Sequence, residues 1–158
     1  MPGKLKTGAK VPSFSVVGED GAAVTNLILA ASPYVLIFYP GDDTPTCTNE
    51  LTDFSKLSDE FIKHNIRLLG ISPDSPASHA KFRAKRGLKL ELASDESAKA
   101  IRAFDAWGEK TLFGRRYFGV LRSTVMVANG RIAGLWRVTR VAGHAAAVLE
   151  AAAALAAN

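Results

Sequence analysis

The sequence predicts an α/β fold: a mixed central sheet with helices on both faces and an N-terminal β-hairpin. Three observations carry that expectation. Residues 34–39 (Tyr-Val-Leu-Ile-Phe-Tyr) are continuously apolar and rich in β-formers, as a strand covered on both faces must be, and 66–71 reads as a second buried strand. Helix-like stretches follow these runs, the first with apolar residues at spacings of three and four. Later, Asn129-Gly130 separates two further extended runs, a signal for an antiparallel pair. At 158 residues, 47% hydrophobic and 22% charged, the chain can bury about two-thirds of its unfolded surface, so one domain over residues 1–158 is expected.

In order, residues 14–17 and 24–27 flank Gly-Glu-Asp-Gly at 18–21, the turn of a small hairpin. Run 34–39 is the central strand. From Cys47 onward, Leu51, Phe54, Leu57, Phe61 and Ile62 form one apolar stripe, with Asn49, Asp53, Lys56, Asp59 and Lys63 between them, which predicts a core-facing helix. A second buried strand covers 66–71, a second helix covers 75–86 and stops at Gly87, and a short extended piece covers 88–93. Asp95 can cap a short helix reaching residue 104, and 107–117 reads as an irregular polar and aromatic connection. Extended runs at 123–128 and 132–138 flank the Asn-Gly turn. The alanine-rich helix 141–157 keeps Val148, Leu149 and Leu155 as a stripe for docking on a sheet. Strands and helices that alternate and then close with a hairpin and a last helix make a thioredoxin-like arrangement. In open sheets of this kind, sites form beyond the carboxyl ends of strands, which is where residues 40–47 fall.

Composition narrows the function classes. No run approaches the roughly 18 apolar residues of a membrane span, and Met-Pro-Gly-Lys-Leu-Lys lacks the apolar segment of a secretion signal, so a cytoplasmic protein with no membrane partner is expected. The one cysteine, Cys47, excludes an internal disulfide, a dithiol pair and a two-cysteine metal site. His64, His79 and His144 are too scattered for a metal cluster, and none lies in the 40–47 segment. The net charge of +5 is dispersed; its densest run, 81–89, reads as a solvated helix face, so no nucleic-acid partner is expected. Trp107, Trp136 and Phe38 read as packing residues.

The segment from Tyr39 to Glu50 holds the chemistry. Thr44 is suited to an N-cap, and Pro45 to the first helical position because it leaves no unpaired N–H. Thr46 is then second and Cys47 third, within reach of the capping hydroxyl, of unpaired backbone amides and of the positive end of the helix. That environment favours a thiolate, the reactive form of cysteine. Deprotonation alone cannot supply an enzymatic rate, so donors must also stand where charge develops. Arg122 is the candidate, at the mouth of the apolar run 123–128. Glu50 follows Cys47 by one turn.

The run Phe38-Tyr39-Pro40-Gly41-Asp42-Asp43-Thr44-Pro45-Thr46-Cys47-Thr48-Asn49-Glu50 resembles the active-site segment of peroxiredoxins, specifically the peroxiredoxin Q or bacterioferritin-comigratory-protein subfamily. Pro40, Thr44 and Cys47 keep the family spacing. The resemblance continues through Gly70-Ile71-Ser72-Pro73-Asp74-Ser75, Ser78-His79-Ala80-Lys81-Phe82, Ser94-Asp95, Trp107-Gly108-Glu109-Lys110, Tyr117, Gly119 and Arg122-Ser123-Thr124, in family order. It implies a thiol peroxidase acting on hydrogen peroxide and organic hydroperoxides, with no metal or organic cofactor. In that reading Cys47 is the nucleophile, and Thr44 and Arg122 hold sulfur and peroxide. Pro40 shields the sulfur, and backbone amides near Thr46 and Cys47 hold the peroxide oxygens. Glu50 either orients Arg122, closes the pocket, or is an ordinary first-turn glutamate.

One departure matters. Where many relatives carry a resolving cysteine five residues after the reactive one, this chain has Thr52, and no second cysteine exists elsewhere. The resemblance therefore implies a one-cysteine cycle completed by an external thiol: thioredoxin, glutathione with glutaredoxin, or a second subunit's Cys47. Relatives imply a monomer or weak homodimer, and no large exposed apolar stripe is read here. The alternative is a thiol redox sensor or chaperone-like binding module, which would not need Thr44 and Arg122 as peroxide-binding groups.

Overall fold

A computed structural model of the chain describes residues 5–156. Strands β1 (Ser15–Gly18) and β2 (Ala23–Thr25) form the predicted hairpin, and β3 (Tyr34–Phe38) is the central strand. Two helices follow, α1 (Pro45–Lys56) and α2 (Ser58–Lys63), then β4 (Arg67–Ser72), α3 (Pro76–Arg86), β5 (Glu91–Ser94) and α4 (Lys99–Ala103). A hairpin of β6 (Trp107–Leu112) and β7 (Arg115–Val120), the pair β8 (Ser123–Ala128) and β9 (Arg131–Arg137), and α5 (His144–Ala156) complete the chain. The last residue of the predicted 141–157 helix, like residues 1–4, lies outside the described residues.

Seven strands make one sheet in the order β2-β1-β5-β4-β3-β8-β9, while β6 and β7 pair only with each other. Strand β3 runs parallel to β4 and antiparallel to β8, and β4 runs parallel to β5, so the sheet is mixed as expected. The continuous apolar run at β3 now has its reason. Tyr34, Leu36 and Phe38 enter one core with Phe14, Ile101 and Phe104, which puts α4 on that face. Val35, Ile37 and Tyr39 enter the other with Leu51, Phe54, Phe61, Phe82 and Val148, which puts α1, α2, α3 and α5 opposite. Alternation of side chains across a strand sends successive residues to opposite faces, and both faces are dry.

Three stretches differ from their sequence expectation. The 107–117 connection is a regular hairpin; its residues are mostly exposed, so burial imposes no alternating pattern, and only Gly114 betrays the turn, with φ of 51° at Phe113 and 79° at Gly114. Its tip and second strand expose Leu112, Phe113, Tyr117 and Phe118, with Phe113 97% accessible. The long helix breaks at Leu57, where φ −98° and ψ 3° leave helical geometry. Past the break Phe61 takes the core and Ile62 turns outward. Finally, Asp95 stands three residues before the N-cap Ala98; its Oδ2 accepts from the Ile101 amide at 2.7 Å and so caps α4 from a preceding turn. Among the described residues, no helix is long and apolar enough to cross a membrane.

Candidate active site

Strand β3 ends at Phe38, and residues 39–44 carry the chain from the sheet to α1. Thr44 is the N-cap, with extended backbone at φ −85° and ψ 150°, and Pro45 takes the first helical position. The Thr44 carbonyl accepts from the Thr48 amide at 2.8 Å, which starts the helix. The amides of Thr46 and Cys47 belong to the first turn, whose N–H groups have no intrahelical partner. Cys47 is on the core side of that turn and only 1% exposed. One part of the expected cap is absent: the Thr44 hydroxyl donates to the Gly41 carbonyl at 2.9 Å and makes no capping bond. The hydroxyl therefore braces the turn and keeps its lone pairs open. Thr44 and Thr46 are exposed and Pro40 is half-buried.

Arg122 arrives from the β7–β8 junction, 75 residues away in sequence. Its Nη2 donates to Cys47 Sγ at 3.3 Å and its Nη1 to Glu50 Oε1 at 2.7 Å. The guanidinium thus sits between two acidic groups on successive turns of α1. Burial works against the Arg122 charge, but Glu50 and Cys47 outweigh it and its pKa rises. Glu50 is itself 1% exposed; burial pushes its carboxyl up to about 7 although Arg122 pulls it down. Of the readings open for Glu50, the geometry matches the one in which it holds Arg122. Lys110 is a further cation beside this group: its Nζ donates to the Val120 carbonyl at 2.9 Å, and burial and Arg122 lower its pKa. Among the described residues no cluster of three or more His, Cys, Asp and Glu side chains could hold a metal ion.

Residues 7–134 match the AhpC/TSA family. A peroxiredoxin Bcp of Xanthomonas campestris is 43% identical over 134 residues, 84% of each chain, and one of Bacillus subtilis is 36% identical over 147 residues, 92% of this chain and 94% of that one. This chain belongs to that family. It is a peroxiredoxin of the peroxiredoxin Q, or Bcp, group, and therefore a thiol-dependent peroxidase. A solved structure of Xanthomonas campestris peroxiredoxin Q agrees in fold, with a TM-score of 0.87 at 39% identity over 97% of this chain and 98% of that one. The thioredoxin-like arrangement of the sheet is that of this peroxiredoxin.

Three groups at the peroxiredoxin site were not legible as site residues. His79, read as remote from the junction, lies in α3 and its Nδ1 is 2.8 Å from Asp42 Oδ2. Lys85 and Arg86, read as a solvated face, hold Asp43 at 2.6 and 2.7 Å. Tyr39 closes the strand and its hydroxyl donates to Asp42 Oδ1 at 2.7 Å. The only sequence signal for His79 is its place in the resemblance.

Proposed function

We propose that Cys47 reduces hydrogen peroxide and organic hydroperoxides in a one-cysteine cycle. The observation that carries this reading is Arg122 Nη2 at 3.3 Å from the sole cysteine sulfur, in the first turn of a helix. The sulfur lone pair attacks the terminal peroxide oxygen; the S–O bond forms as the O–O bond breaks, and its electron pair leaves on the second oxygen. That oxygen takes a proton and departs as water or an alcohol, leaving a sulfenic acid on Cys47. Arg122 stabilises the charge on sulfur and on the departing oxygen, with Glu50 fixing its orientation. The Thr44 hydroxyl and the amides of Thr46 and Cys47 hold the peroxide, and Pro40 shields the sulfur. The Xanthomonas campestris bacterioferritin comigratory protein has an alkyl peroxide reduction activity, which supports organic hydroperoxides as substrates here.

Since Cys47 has no second cysteine in the sequence, an external thiol attacks the sulfenic acid, forms an S–S bond and expels water. A second thiol then releases Cys47. Thioredoxin, or glutathione with glutaredoxin, fills that role for a cytoplasmic monomer or weak homodimer, and neither membrane nor nucleic acid takes part. Stopped-flow mixing with hydrogen peroxide tests the oxidative half. Consumption no faster than by free cysteine, or turnover that survives Cys47→Ser, sinks the reading. Steady-state turnover with each reductant system then identifies the partner.

A further inference from the structure

The turn that presents Thr44 to Cys47 is anchored from outside. Asp42 lies two residues before Thr44, and its carboxylate is almost entirely buried, with a side chain 5% accessible. Oδ1 accepts from the Tyr39 hydroxyl at 2.7 Å, and Oδ2 accepts from the Ser78 hydroxyl at 2.7 Å and from His79 Nδ1 at 2.8 Å. The Asp42 amide donates to Asp74 Oδ2 at 2.8 Å, which also accepts from Ser72 Oγ at 2.6 Å. The Asp42 carboxylate thereby ties the end of β3 and the start of α3 to the turn before Cys47, and its amide, through the Asp74 carboxylate, ties in the end of β4. Burial pushes the Asp42 carboxyl up, but His79, Tyr39 and Ser78 outweigh it and hold it below its ordinary value.

His79 carries the second observation. It is fully buried, and with Nδ1 committed to Asp42 its Nε2 has no hydrogen-bond partner among the described residues. A core position filled only for packing would be served better by an apolar ring, since a buried polar atom without a partner costs free energy. The next residue adds strain: Asp43 has φ of 58°, and Lys85 and Arg86 from the end of α3 hold it there. Helix α3 therefore grips the turn at two successive residues.

Resting on the peroxidase reading above, we propose that Asp42 and His79, with Tyr39 as support, are positioning residues: they set the turn so that the Thr44 hydroxyl and the first-turn amides meet the peroxide while Arg122 independently holds the sulfur. Peroxide attack depends on both sets of groups. Alkylation of Cys47 by a small electrophile depends on the thiolate alone, and Arg122 lies outside the Asp42 network. A displacement of about 1 Å in an aligned site costs up to about a hundredfold in rate.

The test measures both reactions on Asp42→Asn, His79→Gln and Tyr39→Phe. Stopped flow gives the rate of sulfenic acid formation with hydrogen peroxide, and iodoacetamide gives the alkylation rate. Tyr39→Phe removes one hydroxyl and keeps the ring, so it remains informative if Asp42→Asn does not fold. The expected result is a peroxide rate lower by about tenfold in Asp42→Asn and about threefold in Tyr39→Phe, with alkylation at least as fast as in the wild type. A ratio of the two rates that stays at the wild-type value, even with a lowered melting temperature, overturns the inference and leaves the peroxidase reading intact. A wild-type protein that reacts with peroxide no faster than free cysteine overturns both.

Discussion

Arg122 is the residue on which the site turns, because it answers two acidic groups at once. Removing it takes away the donor at Cys47 and leaves Glu50 buried without its partner. Arg122→Ala should slow peroxide attack by about a hundredfold or more, the scale of losing one preorganised donor, while Cys47 remains alkylable. Rapid-mixing rates on the two proteins check this; a change below threefold would show that the guanidinium is not used. Glu50 sets a pH dependence of stability. Its usual value is 4.5 and burial raises it to about 7 in the folded protein, so between these pH values the unfolded chain has released a proton that the folded chain retains. Stability from this group is present below about 4.5 and is lost as pH rises towards 7, a loss on the order of 3 kcal/mol. Urea melts of the wild type and Glu50→Gln from pH 4.5 to 8 should therefore converge or cross as pH rises, the wild type falling relative to the variant. Parallel curves would contradict the raised carboxyl.

The elements show where pattern and packing part company. Gly70 in β4 is read from sequence as part of a buried strand and of the family resemblance, with no packing reason for a glycine, but a Cβ there would stand 2.8 Å from Leu92 Cδ2 and 3.3 Å from Tyr39 Cε1. The bare backbone lets the Tyr39 ring lie over β4 and its hydroxyl reach Asp42. Gly70→Ala should cost about 1–3 kcal/mol as overpacking, read as a lower urea midpoint with unchanged slope. An unaltered midpoint would mean that Leu92 moves aside freely. By contrast, α3 was readable at both ends: Ser75 accepts from the Ser78 amide at 3.1 Å, and Gly87 stops the helix at φ 61°. Local signals of that kind succeed because cap and helix are neighbours in sequence. The β6–β7 hairpin failed the same reading because its mostly exposed strands carry no burial pattern.

At the scale of the molecule, the sheet separates two cores, and only one holds Cys47. Phe54 and Phe104 are both fully buried, on opposite faces. Each change to alanine should cost about 3–5 kcal/mol. Their effects on chemistry should differ: Phe104→Ala should leave the peroxide rate of the folded protein within about twofold, whereas Phe54→Ala, in the helix that bears Cys47, should slow it further. Stopped-flow rates below the melting transition of each variant measure this, and equal losses in both would show that the two faces are not independent.

The sequence by itself determined the strands of the main sheet and the helix that begins at Pro45, and it singled out Cys47 as the candidate reactive group, because each rests on residues close together in the chain. Pro40, Thr44 and Cys47 lie within eight residues and one turn. Only the tertiary structure decided what surrounds the sulfur. It brought Arg122 across 75 residues to Cys47, turned the Thr44 hydroxyl away from the expected cap, and set His79 against Asp42 from a helix whose basic run, 81–89, reads in sequence as a solvated face. The physical reason is that a buried charge must find its partner wherever the packed sheet and helices place one, and periodicity along the chain does not record that distance.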